Sequence, residues 1–260
     1  MNARFLSNVR VGLTVTALTI GGALMFSACA SSSDGGGSGS GGSSGTGTGG
    51  SSGGGGAAQA SGNTVTFKTG QAQGAMTGWG WVALGTLDTI TDPTCDTAKA
   101  AITKATACTT TTNWNAPDAL CINANIPALP SSPVQKDYDE NWGVMVGLNS
   151  SDPPADKGGS TLGQTFDSIT FNLSGSPITG LRGEIHIKGD DDNTVYCANI
   201  VSGRAVVLTD FNTKCWGDTT TVKLTSDKIT NIDKVGVQVS SGSAAITVAS
   251  LCLKSVSFGN

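Results

Sequence analysis

Helical periodicity is nearly absent from this 260-residue chain. No long segment repeats apolar residues at three- and four-residue spacing, which argues against a helical bundle. Glutamate occurs only at Glu140 and Glu184, histidine only at His186, and charged residues make up 13% of the chain. Lysine and arginine are scattered and the net charge is −4, so there is no basic stripe of the kind that tracks nucleic acid. No glycine-rich loop runs into a helix, which removes a phosphate-cradling loop. Close Cys-x-x-Cys spacing is missing and His186 stands apart from the cysteines, which disfavours zinc. A hydroxyl nucleophile needs a positioned base, and no motif surrounds His186 and a partner serine. A glycosidase needs two carboxylates across the scissile bond, and most aspartates here fall in turn-like segments. The chain is therefore expected to be non-catalytic.

What is present begins with an export signal. Arg4 and Arg10 precede an uncharged apolar run from Val11 to Phe26, and small residues then lead into Cys29. That is the layout of a secretory signal peptide over residues 1–28. The run is too short and too rich in Thr and Gly for a permanent span, which takes about 20 predominantly apolar residues. The stretch Phe26-Ser27-Ala28-Cys29 resembles the lipobox of bacterial lipoproteins, with Phe26 where Leu is usual. The resemblance implies that the Cys29 thiol is acylated, palmitate among the chains added, and becomes the mature N-terminus. An ordinary signal peptide cut near Ala28 or Ala30 is the alternative. Seven cysteines leave one over if six pair, and acylation would use the leftover thiol. Ala30, rather than Asp, follows Cys29, which by resemblance to enteric lipoproteins implies outer-membrane sorting. The lipid bilayer is then an expected partner, with the protein held at the outer membrane or cell surface.

Residues 29–61 are the expected tether. From Ser31 to Ser61 the chain is almost wholly Gly and Ser, with Asp34 its single charge. Nothing there can offset the entropy of ordering, so disorder is expected. Such a coil has a root-mean-square reach of about 30 Å. Any recognition surface is therefore expected on residues 62–260.

In that remainder the period is two, the mark of half-buried strands. Trp142, Val144, Val146 and Leu148 alternate with Gly143, Met145 and Gly147; Ile169, Phe171 and Leu173 alternate with Thr170 and Asn172. Leu181, Ile185 and Ile187 share a face, as do Val235, Val237 and Val239. Polar clusters at Ser150 to Gly159, Gly189 to Asn193 and Ser240 to Ser243 separate such runs. The fold class is all-β, a sandwich or barrel of many short strands. The best helix stretch is Asp96 to Ala105. Disulfides persist in an oxidising compartment, and economy pairs Cys95 with Cys108, Cys197 with Cys215, and Cys121 with Cys252, one of the fifteen pairings open to six cysteines.

The order Asn141-Trp142-Gly143 to Asn149, Phe166 to Leu173, Leu181-Arg182, Tyr196-Cys197, Cys215-Trp216, Val235 to Val239 and Leu251 to Phe258 resembles exported proteins with galactose-binding-like jelly rolls. Some carbohydrate-binding modules share that architecture, and similar domains occur in surface lipoproteins of myxobacteria and their relatives. The resemblance covers roughly Thr64 to Asn260 and implies a jelly-roll β-sandwich of mainly antiparallel strands.

Arg182, Glu184 and His186 occupy alternate positions, so their side chains should leave one face of a strand, opposite Leu181, Ile185 and Ile187. An antiparallel sheet commonly turns such a face to water. In a jelly roll one sheet face can instead form a shallow cleft, where these residues would offer donors and acceptors to sugar hydroxyls. Parity adds Gln238, Asn149 is a further polar position, and Tyr196 is a ring that can join them. Trp142 is in phase with Val144 and Val146 and reads as core, as do Trp79 and Trp81. Trp114, among Thr and Asn, is the exposed aromatic. Asp190, Asp191, Asp192 and Asn193 bunch oxygen ligands in a turn without the spacing of a Ca²⁺-binding hand. They read as an acidic turn, and the jelly-roll resemblance raises a structural calcium there as the alternative; no other cofactor is expected. The expected function is non-catalytic recognition of glycan by a membrane-anchored domain. A structural or adhesive surface protein contacting other proteins is the alternative, with a hydrolase third.

Overall fold

The computed structural model describes residues 62–95, 99–104, 112–150, 159–191, 194–215 and 221–260. The signal segment 1–28, Cys29 with the tether 29–61, Cys108, Asp192, Asn193 and Trp216 lie outside the described residues. The strands are β1 (Thr64–Lys68), β2 (Gln71–Gly74), β3 (Gly78–Leu84), β4 (Thr89–Asp92), β5 (Thr94–Cys95), β6 (Ile102–Thr103), β7 (Thr112–Asn113), β8 (Leu120–Ile126), β9 (Gly143–Asn149), β10 (Ser168–Ser176), β11 (Leu181–Ile187), β12 (Tyr196–Ile200), β13 (Ala205–Val207), β14 (Ile232–Ser240) and β15 (Ile246–Gly259). A short helix, α1 (Gln135–Glu140), and two 3-10 turns complete the described elements.

All strand pairings among the described residues are antiparallel. The main hydrogen-bonded path runs β12-β11-β14-β9-β3-β2-β1-β15-β8-β4-β6, with β10 joined to β15 and β13 to β10. The path doubles back to enclose one core. A Cβ on Gly183 of β11 would sit 3.0 Å from the Phe171 ring of β10, and one on Gly80 of β3 would sit 2.4 Å from Leu120 of β8. The β12-β11-β14-β9-β3 layer therefore faces the layer built on β10, β15 and β8.

The period of two explains what fills that space. Val144, Val146 and Leu148 of β9, Leu181 and Ile185 of β11, and Val235 and Val237 of β14 are each no more than 1% exposed. They meet Ile169, Phe171, Leu253, Val256 and Phe258 from the other layer, which are equally buried. Truncating a ring such as Phe171 to Ala in a core of this kind costs about 3–5 kcal/mol.

Two disulfides fasten the described residues: Cys121 of β8 to Cys252 of β15, and Cys197 of β12 to Cys215. Both are pairs that chain economy names. Cys95 is also disulfide-bonded; its expected partner, Cys108, lies outside the described residues. Such crosslinks point to a protein that folds outside the reducing cytosol. No helix among the described residues is long and apolar enough to cross a membrane.

The helix expected over 96–105 is corrected where the chain is described. Ile102 and Thr103 form β6 against β4, with Ile102 3% exposed; two β-branched residues fit a sheet edge better than a helix. The helix that exists is α1, six residues long and with no buried side chain, too short and too polar to betray itself by periodicity.

Candidate functional site

The outer face of the β11-β14-β9-β3 layer carries the site. Register places Arg182 beside Gln238, Met145 and Ala83 in one cross-strand row, and Glu184 beside Gly236, Gly147 and Trp81 in the next. His186, Lys234, Asn149 and Trp79 form the third. A cleft of about 800 Å³ lies over the first two rows, lined by Arg182, Glu184 and His186 together with Trp81, Trp142 and Tyr138. Gln135 and Asp139 of α1, Ser240 and Ser241 form part of its wall.

The expected trio is therefore on one face and in one cleft. Glu184 is 1% exposed, and its Oε1 has no hydrogen-bond partner among the described residues. Burial pushes its carboxyl up to about 7, against the opposing pull of the Arg182 guanidinium. Burial also lowers the Arg182 pKa, which Glu184 partly restores. Gln238, fully buried, is a positioning residue: its Oε1 accepts from Arg182 Nη1 at 2.9 Å and its Nε2 donates to the Trp142 carbonyl at 3.2 Å. Asn149 shares the sheet face but is not part of the cleft lining.

Two expected ligand residues are placed elsewhere. Tyr196 is opposite Ile185, hence on the core face, and is 1% exposed. Its hydroxyl donates to Asp190 Oδ2 at 3.0 Å and accepts from Lys228 Nζ at the same distance. Trp114 packs against the core, and its ring occupies the space beside Gly70 and Gly80 that a Cβ would need. Thr and Asn neighbours had marked it as exposed, but the two glycines form the notch that receives it.

Trp81 and Trp142 depart from expectation in the opposite sense. Trp81 alternates with the core-facing Gly78 and Gly80, so it is the glycines that point inward and the indoles that point out. Trp142 leaves the phase of Val144 and Val146 because Gly143 has φ +104°, a left-handed kink that starts β9. A Cβ at Gly143 would lie 2.0 Å from the Val239 carbonyl oxygen, so only glycine makes that turn. Such a glycine beside a Trp is the one signal in the sequence that could have moved Trp142 to the surface.

The acidic turn is occupied by the protein itself. Asp190 accepts from Lys228 Nζ at 2.8 and 2.7 Å through its two oxygens, and these contacts push the Lys228 pKa up to about 12. Among the described residues no three His, Cys, Asp or Glu side chains gather as metal ligands. Asp190 is paired with Lys228, which leaves its oxygens poorly placed to join the six to eight oxygen ligands of a hard cation, and Asp192 lies outside the described residues.

No protein-family model matches the chain, and a search of curated proteins finds no match to it.

Proposed function

We propose that this is a non-catalytic, membrane-anchored module that binds carbohydrate in the outer-face cleft. The observation that carries the proposal is the meeting of three aromatic rings, Trp81, Trp142 and Tyr138, with Arg182, Glu184 and His186 around one cleft of about 800 Å³. Sugars offer apolar CH faces to flat rings and hydroxyls to polar side chains, and ligand sites combine such a lining with a few placed polar groups. The facing layers support a galactose-binding-like jelly roll, the disulfides support export, and Phe26-Ser27-Ala28-Cys29 supports anchoring through acylated Cys29. A purely structural or adhesive coat protein has no need of a cleft with convergent polar groups.

The test is a glycan array probed with the purified full chain and with Arg182→Ala, His186→Ala and Trp142→Ala. Binding lost in the variants at unchanged thermal stability supports the proposal, and silence across the array refutes it. Cys29→Ser should abolish labelling by radioactive palmitate; retained labelling would refute the anchor.

A hydrolytic alternative has one specific support. Glu184, with its carboxyl raised to about 7 by burial, has the character of a proton donor, and Asp139 lines the same cleft. New reducing ends released from a bound glycan, and absent with Glu184→Gln, would favour it.

A further inference from the structure

Between β8 and β9 the chain runs outside the sheet over residues 127–142. Pro127, Pro130 and Pro133 carry no backbone N–H and cannot extend a strand ladder, so this connection leaves the layer and returns. Its two ends meet at a neck. Asn141 Nδ2 donates to the Pro127 carbonyl at 2.8 Å, the Leu129 amide donates to the Gly242 carbonyl at 2.8 Å, and Ser241 Oγ donates to the Asn141 carbonyl. The Glu140 carbonyl accepts from the Leu87 amide at 3.1 Å, and Leu129 and Asn141 are buried. Residues 128–140 thus form an Ω-loop, a surface loop of about 6–16 residues whose ends lie together.

Beyond the neck the loop bonds only to itself. Among the described residues, every hydrogen bond and ion pair of residues 130–139 falls between Val134 and Asn141: Asp137 with the Val134 amide, Gln135 with Asp139, Lys136 with Glu140, and the backbone bonds of α1. No side chain of α1 is buried, and a helix of this length does not persist alone in water. Yet Gln135, Tyr138 and Asp139 line the cleft. A rigid wall needs bonds or packing to the body behind it, and this one is hydrogen-bonded to the body at its neck.

The loop also keeps apolar surface in water. Val134 at the N-cap and Tyr138 one turn on share a side of α1 and are 62% and 46% exposed. Closing on an occupant of the cleft covers that side, and burial of apolar surface favours such closure. Gln135 Nε2 already donates to Asp139 Oδ1 at 2.8 Å, so the two polar groups travel as one unit and bring their remaining oxygens to hydroxyls. Asn141 of the neck precedes Trp142, whose carbonyl is held by Gln238. The loop can therefore swing while that indole stays in place.

We infer that residues 128–140 are a flap that closes on a glycan bound in the cleft, pivoting at the neck of Pro127 and Asn141 and pressing the Tyr138 ring against a sugar face. The inference rests on the carbohydrate proposal above and adds the moving part that retains the ligand.

The experiment has two stages, both on the full chain. Affinity electrophoresis in gels carrying laminarin, xylan, galactan or mannan selects a polysaccharide that binds. Hydrogen–deuterium exchange read by mass spectrometry then compares the free chain with the chain saturated by that polysaccharide, for the wild type and for Tyr138→Ala. In the free wild type, the loop amides are expected to exchange far faster than those of β9, which follows the loop directly. Bound polysaccharide is expected to slow the loop roughly tenfold or more, as a closed state favoured to that degree would, and to leave β15 unchanged. Tyr138→Ala is expected to lose most of the slowing at unchanged thermal stability. Loop amides as slow as those of β9 in the free chain overturn the flap. Binding without any slowing in the loop also overturns it, while leaving carbohydrate binding standing. Slowing that persists in full in Tyr138→Ala overturns the role assigned to its ring. No retardation of the wild-type chain by any of the four polysaccharides overturns the inference and the proposal beneath it together.

Discussion

At the scale of single residues, buried carboxyls decide both the geometry and the pH response. Asp88 is 1% exposed, and its Oδ2 accepts from the Gly85 amide at 2.9 Å and the Gly143 amide at 3.0 Å. The Gly143 amide belongs to the same peptide unit as the Trp142 carbonyl that Gln238 holds, so that peptide is clamped on both sides and the indole is aimed at the cleft. The Gly85 amide also donates to the Gly143 carbonyl at 3.0 Å, so Asp88→Ala should leave chiefly the buried Gly143 N–H unpaired and lower stability by about 1–3 kcal/mol in urea titration; it should also weaken glycan binding. Burial raises the Asp88 carboxyl to about 6 despite the two amide donors, and Glu184 to about 7. Both acids thus hold protons in the folded state at pH values where the unfolded chain has released them. Stability should fall as pH rises from about 4.5 to about 7, with Glu184 contributing about 3 kcal/mol at most. Melting temperatures across that window test the sign, and Glu184→Gln should flatten the slope. Alternation alone placed Arg182, Glu184 and His186 on one face, because parity is a local property of a strand. It misplaced Trp142 because one left-handed glycine resets parity, and it misplaced Trp81 because the inward positions that flank the indoles, Gly78 and Gly80, carry no apolar signal.

At the scale of elements, α1 is the part of the site that folding energetics do least to explain. A six-residue helix is far below the length at which helices persist alone in water, and α1 buries no side chain. Its supports are local: Asp137 Oδ2 accepts from the Val134 amide at 2.8 Å, Gln135 Nε2 donates to Asp139 Oδ1 at 2.8 Å, and Lys136 pairs with Glu140 at 3.4 Å. Its last turn is moored where the Glu140 carbonyl accepts from the Leu87 amide at 3.1 Å, and where Asn141 Nδ2 donates to the Pro127 carbonyl at 2.8 Å. A weak helix tied at one end suits a wall that need only present Gln135, Tyr138 and Asp139 to the cleft. Tyr138, 46% exposed, is then expected to matter for ligand and not for folding. Tyr138→Ala should change unfolding free energy by no more than about 0.5 kcal/mol, as surface substitutions do, while titration calorimetry shows weaker glycan binding. Equal loss of stability and affinity would count against that role.

At the scale of the whole molecule, the alternating runs were legible but their partners were not. β15 illustrates why: it pairs with β8 over its first half, with β1 over its second, and with β10 along its length, and its register slips twice against β10. Such slips and the positive φ at Ser250 are set by packing between segments far apart in sequence, which no local pattern encodes. The cysteines offer the one long-range constraint a sequence can carry. Cys121 and Cys252 lie opposite each other across β8 and β15, and the bond spans 131 positions. Closing so long a loop in the unfolded chain removes entropy worth up to about 5 kcal/mol, against about 3 kcal/mol for the 18-position span of Cys197 to Cys215. The longer bond also joins strands of the layer behind the core, whereas Cys215 lines the cleft. The paired change Cys121→Ser with Cys252→Ser is therefore expected to lower stability by about 2–5 kcal/mol while glycan binding survives at temperatures where the chain is folded. Cys197→Ser with Cys215→Ser is expected to lower stability less and binding more. Urea unfolding and affinity electrophoresis on the two double variants separate these effects; the opposite ranking would show that the cleft does not depend on the strand that Cys197 anchors.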